Sequence, residues 1–296
     1  MAGFFHGKQD MTSMPQPLIP HQAPALGSAL RGLRRAWRAL ACVLLAVLLA
    51  GLLGGCASGT EPEVATIAPR APTPWDMASV REGLRTGQAE SAASHWQHLT
   101  FPGKTGNQFA YLPVDGRRAM VVRSSSAVSM LRKTVNIEPA QLAGLRFSWK
   151  VPSLIEGADL GQREKGDSPV RLVLAFDGDR SRMSPRDHML SELARTLTGE
   201  EMPYATLMYV WSNHHAPGTV LKNSRTERIR KWVLESGPDR LNRWLDYERY
   251  IRADFVATFG EEPGRLIAVG IMTDTDNTRS NTQAWYGPVM LGTAGR

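Results

Sequence analysis

The stretch Val170-Arg171-Leu172-Val173-Leu174-Ala175-Phe176, running into Asp177-Gly178, decides the fold class. Val170, Leu172, Leu174 and Phe176 share one face and Arg171, Val173 and Ala175 the other, the period of two that a strand imposes. Asp177-Gly178 then supplies a turn. Outward from this segment the pattern repeats. Strands are expected at 95–101, 108–113, 119–124, 129–137, 145–151, 170–176, 205–211, 229–235, 266–272 and 285–291. Turn-forming groups such as Phe101-Pro102-Gly103 and Val114-Asp115-Gly116 fill the gaps. Many short strands with turn signals predict a mainly β chain, a jelly-roll-like β-sandwich with two inserted α-helices.

The helices carry boundary chemistry. Ser184 caps the first, Pro185 suits its first turn, Leu190, Leu193, Ala194 and Leu197 form a stripe, and Gly199 ends it. The second is expected over 239–259, with Leu241, Trp244, Leu245, Ile251 and Phe255 on one face and Gly260 after it. Asp246, Glu248 and Asp254 among its arginines argue against a basic membrane-surface helix.

Upstream, Arg31, Arg34, Arg35 and Arg38 precede an uncharged Ala/Leu/Val run that ends in Leu53-Gly54-Gly55-Cys56. A basic segment, an apolar segment of signal length and small residues before a cysteine read as a signal peptide; Leu53-Gly54-Gly55-Cys56 resembles the lipobox of bacterial lipoproteins, which implies that Cys56 becomes the lipidated N-terminus. The alternative is an uncleaved anchor, because the uncharged run is long enough to span; the Gly-rich end favours cleavage. The expected organisation is a leader at 1–55, a tether and weakly helical lead-in at 56–94, and a β-sandwich at 95–296. The tether is expected to reach Trp75. The implied location is the bacterial envelope, facing the periplasm, with the membrane as partner through Cys56. The resemblance to bacterial lipoproteins further implies the outer membrane, since Ala57 rather than Asp follows the cysteine. The second cysteine, Cys42, lies inside the apolar run, so the expected mature domain holds neither a disulfide nor a thiol nucleophile.

The composition, 42% hydrophobic and 21% charged, excludes a disordered chain. The net charge of +7 invites a nucleic-acid partner, yet +4 of it lies in the leader. The remaining +3 is spread over both signs and is not a phosphate-binding footprint.

The blocks Leu145-Arg146-Phe147-Ser148-Trp149-Lys150-Val151, Gly166-Asp167-Ser168-Pro169-Val170-Arg171, Pro203-Tyr204-Ala205-Thr206-Leu207-Met208-Tyr209-Val210-Trp211 and Ile271-Met272-Thr273-Asp274-Thr275-Asp276-Asn277-Thr278 resemble the bacterial domain of unknown function 3047 family. The resemblance runs from about His95 onward and implies no activity. The strand order also resembles, more distantly, the galactose-binding-like jelly rolls of carbohydrate-binding modules.

Asp274, Asp276 and Asn277 cluster oxygen ligands after a strand, a pattern that suits calcium or, equally, an Asx-rich turn bonded to its own backbone. Calcium is the one cofactor the sequence suggests. Parity places Arg171 and Lys150 opposite the apolar sides of their strands. With Asp177, Trp211 and Trp285 they form the candidate ligand-binding set for a glycan, since aromatic rings stack on sugars while charges fix hydroxyls or carboxylates. The alternative is that Trp149, Trp211 and Trp285 are core. His214-His215 shows no spacing that identifies a third metal ligand. Ser124-Ser125-Ser126 lacks a nucleophile elbow. Glu200, Glu201, Asp177, Glu235, Asp274 and Asp276 would serve a glycosidase only if the fold paired them. The expected function is a non-catalytic binding module for a glycan or envelope polymer, against a glycan-active hydrolase or lyase on the same sandwich, or a structural adaptor.

Overall fold

Alternation and turn chemistry resolve into two stacked sheets. The computed structural model describes residues 67–68, 70–79 and 95–293; the leader, Cys56 and most of 56–94 lie outside them. In chain order the elements begin with β1 (Ile67–Ala68), helix α1 (Pro74–Ala78), β2 (Gln97–Thr100), β3 (Gln108–Val114), β4 (Arg117–Ser125), β5 (Val128–Ile137) and β6 (Leu142–Lys150). There follow β7 (Ser168–Phe176), helix α2 (Pro185–Thr198), β8 (Ala205–Ser212), β9 (Val220–Lys222), β10 (Ile229–Ser236) and β11 (Leu245–Tyr250). Helix α3 (Ile251–Phe259), β12 (Leu266–Asp274), β13 (Asn281–Tyr286) and β14 (Met290–Thr293) complete the chain.

The eight-stranded sheet has the order β1-β2-β5-β12-β7-β8-β10-β9 and the other sheet β11-β6-β13-β4-β3, with β14 against β6. All pairings are antiparallel except β8 with β10, which run parallel. Strand β7 is central: it lies between β12 and β8 and is buried on both faces along its whole length. Leu172, Leu174 and Phe176 of β7 and Leu207, Tyr209 and Trp211 of β8 face Leu145, Phe147 and Trp149 of β6 in one core. The rings of Phe147 and Tyr209 stack across the two sheets with centroids 6.0 Å apart. The result is a mainly β, jelly-roll-like sandwich.

Helix α2 follows its signals: Ser184 Oγ accepts from Asp187 N, and Gly199 takes the left-handed conformation at φ 74°. Its stripe is only half-seated, with Leu193 53% exposed. Three expectations are corrected. The helix expected over 239–259 begins only at Ile251, because Asn242 takes a left-handed φ of 61° that no helix admits and Leu245 to Tyr250 pairs with β6 instead. The strand expected at 285–291 is two strands. Pro288 has no N–H to donate to a ladder, and a Cβ on Gly287 would lie 2.1 Å from Ser148 Oγ, so any side chain there forces the Ser148 hydroxyl on β6 to turn away. The tether stops short of Trp75: Ile67–Ala68 pairs with β2. Thr73 and Asp76 close a capping box on α1, which buries Trp75 completely against Trp96 at a centroid distance of 4.8 Å.

Candidate functional site

Residues of β7, β8, β10 and β12 that alternate away from the core converge on the outer face of the eight-stranded sheet. There a groove of about 450 Å³ is floored by Arg171, Met208, Lys231, Met272 and Asp274. The loop between β6 and β7 roofs one side, held down by Leu160 packing on Val210 and Val233.

Arg171 is 3% exposed. Its Nη2 donates to Asp274 Oδ1 at 2.9 Å and stands 2.8 Å from Oδ2, while Nε donates to Oδ1 at 3.2 Å. The same Nη2 donates to Gly166 O. Ser168 N donates to Asp274 Oδ1 at 2.7 Å. Burial nevertheless pushes the Asp274 carboxyl up to about 6, against the pull of Arg171. Tyr286 reaches across the core to this pair of strands: its hydroxyl donates to Met272 O at 2.6 Å and accepts from Arg171 N at 3.2 Å.

Beside Arg171, Lys231 is 7% exposed and donates from Nζ to Leu160 O at 2.9 Å. Burial, then repulsion by Arg171, lowers its ammonium to about 8. Lys231 was not singled out from the sequence, yet a signal existed: Ile229, Lys231 and Val233 alternate against Trp232 and Leu234. Exposed Arg163, Lys222 and Arg225, together with Lys104, extend the positive lining to the rim. Lys104 pairs with Asp276.

The structure scatters the candidate ligand-binding set. Arg171 alone lies in the groove. Lys150 stands on the outer face of the opposite sheet, 2.9 Å from Asp115 Oδ2 and 5.6 Å from the ring centroid of Trp285. Trp211 is core at 1% exposure, with its Nε1 donating to Gly237 O. Asp177 sits at the end of β7, paired with Arg265 at 2.9 Å. Parity within a strand holds for both cations; what it does not carry is which sheet each strand joins.

Of the calcium candidates, Asp274 and Asp276 come together with Asp167, carboxylate oxygens within 4.8 Å of one another. Their partners are Arg171, Lys104, amides and the Thr278 hydroxyl. Asn277 Nδ2 donates to Asp167 Oδ1 at 2.8 Å, and Thr278 N donates to Asp167 Oδ2 at 2.7 Å. The Asx-rich turn is thus pinned by a carboxylate from the distant β6–β7 loop rather than by its own side chains.

A second cluster lies in the loops next to the groove. His215 Nε2 is 2.8 Å and His214 Nε2 3.5 Å from Asp159 Oδ1, and the two imidazole centroids are 4.4 Å apart. The hydrogen bond from His215, with that from Gly161 N, holds the Asp159 carboxyl down at about 2.

A two-sheet β-sandwich with a cation-floored groove on its larger sheet defines the class. The chain belongs to the family described as Protein of unknown function (DUF3047), which matches residues 94–290. Among solved structures it is similar to the Family 11 Carbohydrate-Binding Module of the cellulosomal cellulase Lic26A-Cel5E of Clostridium thermocellum, at 8% identity and a TM-score of 0.34, covering 73% of this chain and 96% of that one. It is similar to the native family 12 xyloglucanase from Bacillus licheniformis, at 6% identity and a TM-score of 0.39, covering 78% and 100%. It is also similar to the endoglucanase cel12A from Rhodothermus marinus, at 6% identity and a TM-score of 0.38, covering 70% and 95%. No curated protein matches the chain.

Proposed function

We propose that this chain is an envelope-anchored binding module whose groove takes an acidic polysaccharide. The observation that carries the reading is the charge of the groove: Lys104, Arg163, Arg171, Lys222, Arg225 and Lys231 line it against Asp274 and Asp276. Two of these cations are buried in the floor, where the low dielectric strengthens their attraction for an anion. Those at the rim draw in a polyanion over a longer range. Uronate carboxylates repeated along a glycan match such a lining and offer a partner to Lys231, which is hydrogen-bonded to Leu160 O and, among the described residues, to no carboxylate; a neutral glucan offers none. Anchoring through Cys56 in the envelope rests on Leu53-Gly54-Gly55-Cys56 after the apolar run.

The test is retention of the full chain, in detergent, on immobilised polygalacturonate and on a neutral β-glucan. Binding to the polyuronate is expected to fall with added salt and to be weakened in the rim variant Lys222→Ala/Arg225→Ala. Equal retention on the neutral glucan, or no loss in the rim variant, refutes the charge-based reading. For the anchor, Cys56→Ala is expected to abolish lipid labelling and membrane fractionation; unchanged labelling refutes it.

One observation favours a catalytic reading. Asp274, raised to about 6, stands in the groove close to Asp276, and a carboxyl acid beside a carboxylate is the outline of a glycosidase pair. Both are capped by cations, however, which leaves neither free to protonate a leaving group. New reducing ends released from the polyuronate, and lost in Asp276→Asn, would move the reading to an enzyme.

A further inference from the structure

We propose that Asp159, His214 and His215 form a binding site for a divalent cation of the zinc class. The sequence shows only two adjacent histidines; the fold supplies the third ligand from a loop far away in the chain. Around a tetrahedral ion with bonds of about 2.0–2.1 Å, ligand atoms lie roughly 3.3–3.5 Å apart. Here the separations from Asp159 Oδ1 are 2.8 Å to His215 Nε2 and 3.5 Å to His214 Nε2, so the three atoms surround an ion after small rotations of the side chains. Two imidazoles and one carboxylate select zinc, nickel or copper over calcium or magnesium, which require mostly oxygen. Three protein ligands leave a fourth position open, as in sites where the ion meets water or a ligand.

The surroundings hold this arrangement in place. Gln162 Nε2 donates to Asp159 Oδ2 at 2.7 Å and Gly161 N to Oδ1 at 2.8 Å, which fixes the carboxylate plane as an outer shell does around a metal. On the other side, His214 N and His215 N both donate to Ser212 Oγ, at 3.3 and 3.0 Å. Asn213 Nδ2 donates to Ile155 O at 2.7 Å, tying the histidine loop to the segment that leads to Asp159. Gly161 keeps one side clear: a Cβ there would lie 3.3 Å from both Asp159 Oδ1 and His215 Nε2. Adjacent histidines on a strand would point to opposite faces; the turn after β8 is what brings both rings to one oxygen. Leu160 and Gly161, next to Asp159, line the groove, so the proposed ion lies beside the ligand path while its binding does not depend on what the groove takes.

The experiment uses the full chain in detergent, stripped with a chelator and titrated with zinc chloride alone by calorimetry. His214→Ala, His215→Ala and Asp159→Asn are run in parallel. The expected result is one equivalent of zinc per chain and an affinity at least about 100-fold lower in each variant, since the two histidine variants lose a direct ligand and Asp159→Asn exchanges a charged oxygen for a weaker neutral one. Saturating zinc raises the Tm of the parent chain and not of the variants, because an ion bound only by the folded state adds to its stability. Cobalt in place of zinc gives visible absorption bands that disappear in His214→Ala. Asp159→Asn can loosen its own loop, so His214→Ala is decisive: that imidazole is 55% exposed, and its removal leaves the metal-free Tm unchanged. Absence of stoichiometric zinc binding by the parent chain overturns the proposal, as does undiminished affinity in His214→Ala.

Discussion

Replacing Lys231 with methionine tests whether the groove floor carries a charge that the fold itself does not want. Lys231 lies 7% exposed on β10, beside Arg171, with a single hydrogen bond to Leu160 O. Desolvation and that like charge take its ammonium from the ordinary 10.5 down to about 8. A lysine whose folded pKa is below its unfolded value destabilises the fold while charged. Between about pH 8 and 10.5 the unfolded chain keeps a proton that the folded chain gives up, so stability rises with pH across that window. At about 1.4 kcal/mol per pH unit the burden below pH 8 is about 3 kcal/mol. Methionine keeps the length and apolar stem, removes the charge, and leaves Leu160 O without a donor at a cost of about 1 kcal/mol. The Lys231→Met variant is therefore expected to be about 2 kcal/mol more stable than the parent at pH 7 and about 1 kcal/mol less stable near pH 10.5. Urea denaturation of both chains at both pH values reads the difference directly, since effects of other titrating groups are common to the two. A variant that is less stable at pH 7, or a difference that does not change with pH, refutes the argument. The same variant should lose retention on polyuronate, the pattern of a residue kept for binding at the expense of stability.

Arg171→Ala leaves the Asp274 carboxyl buried without the cation bonded to it, and a loss of about 3–5 kcal/mol in chemical denaturation is expected; a loss below about 1 kcal/mol would show that the pair contributes no more than a surface contact. Tyr286→Phe removes the hydroxyl that joins Met272 O, Arg171 N and Thr273 Oγ1 and is expected to cost about 1–3 kcal/mol by the same assay, with groove retention largely preserved because the ring still fills the core; an unchanged midpoint refutes the bridging role.

What the sequence carried, and what it did not, follows from the range of each signal. Strand alternation and helix caps act over a few residues, so β7 and the start and end of α2 were legible: Ser184 and Gly199 form their caps from atoms within four residues. The stretch after Pro238 shows the competition between local signals. Leu241, Trp244 and Leu245 have helical spacing, and Leu245 to Tyr250 also alternates. The deciding facts are the left-handed turn at Asn242, whose N donates to Val151 O, and an open edge on β6, neither of which is local. Sites depend on a still longer range. Arg171 and Lys150 share a parity within their strands, yet their strands belong to different sheets, so they emerge on opposite sides of the molecule. Asp159 meets His214 and His215 because the β6–β7 loop folds over β8 and β10, an event set by Leu160 burying itself on Val210 and Val233. Two histidines and a carboxylate separated by more than fifty residues become one cluster through that apolar contact, so disturbing it by Leu160→Ser should displace Asp159 and weaken zinc binding although no ligand is touched.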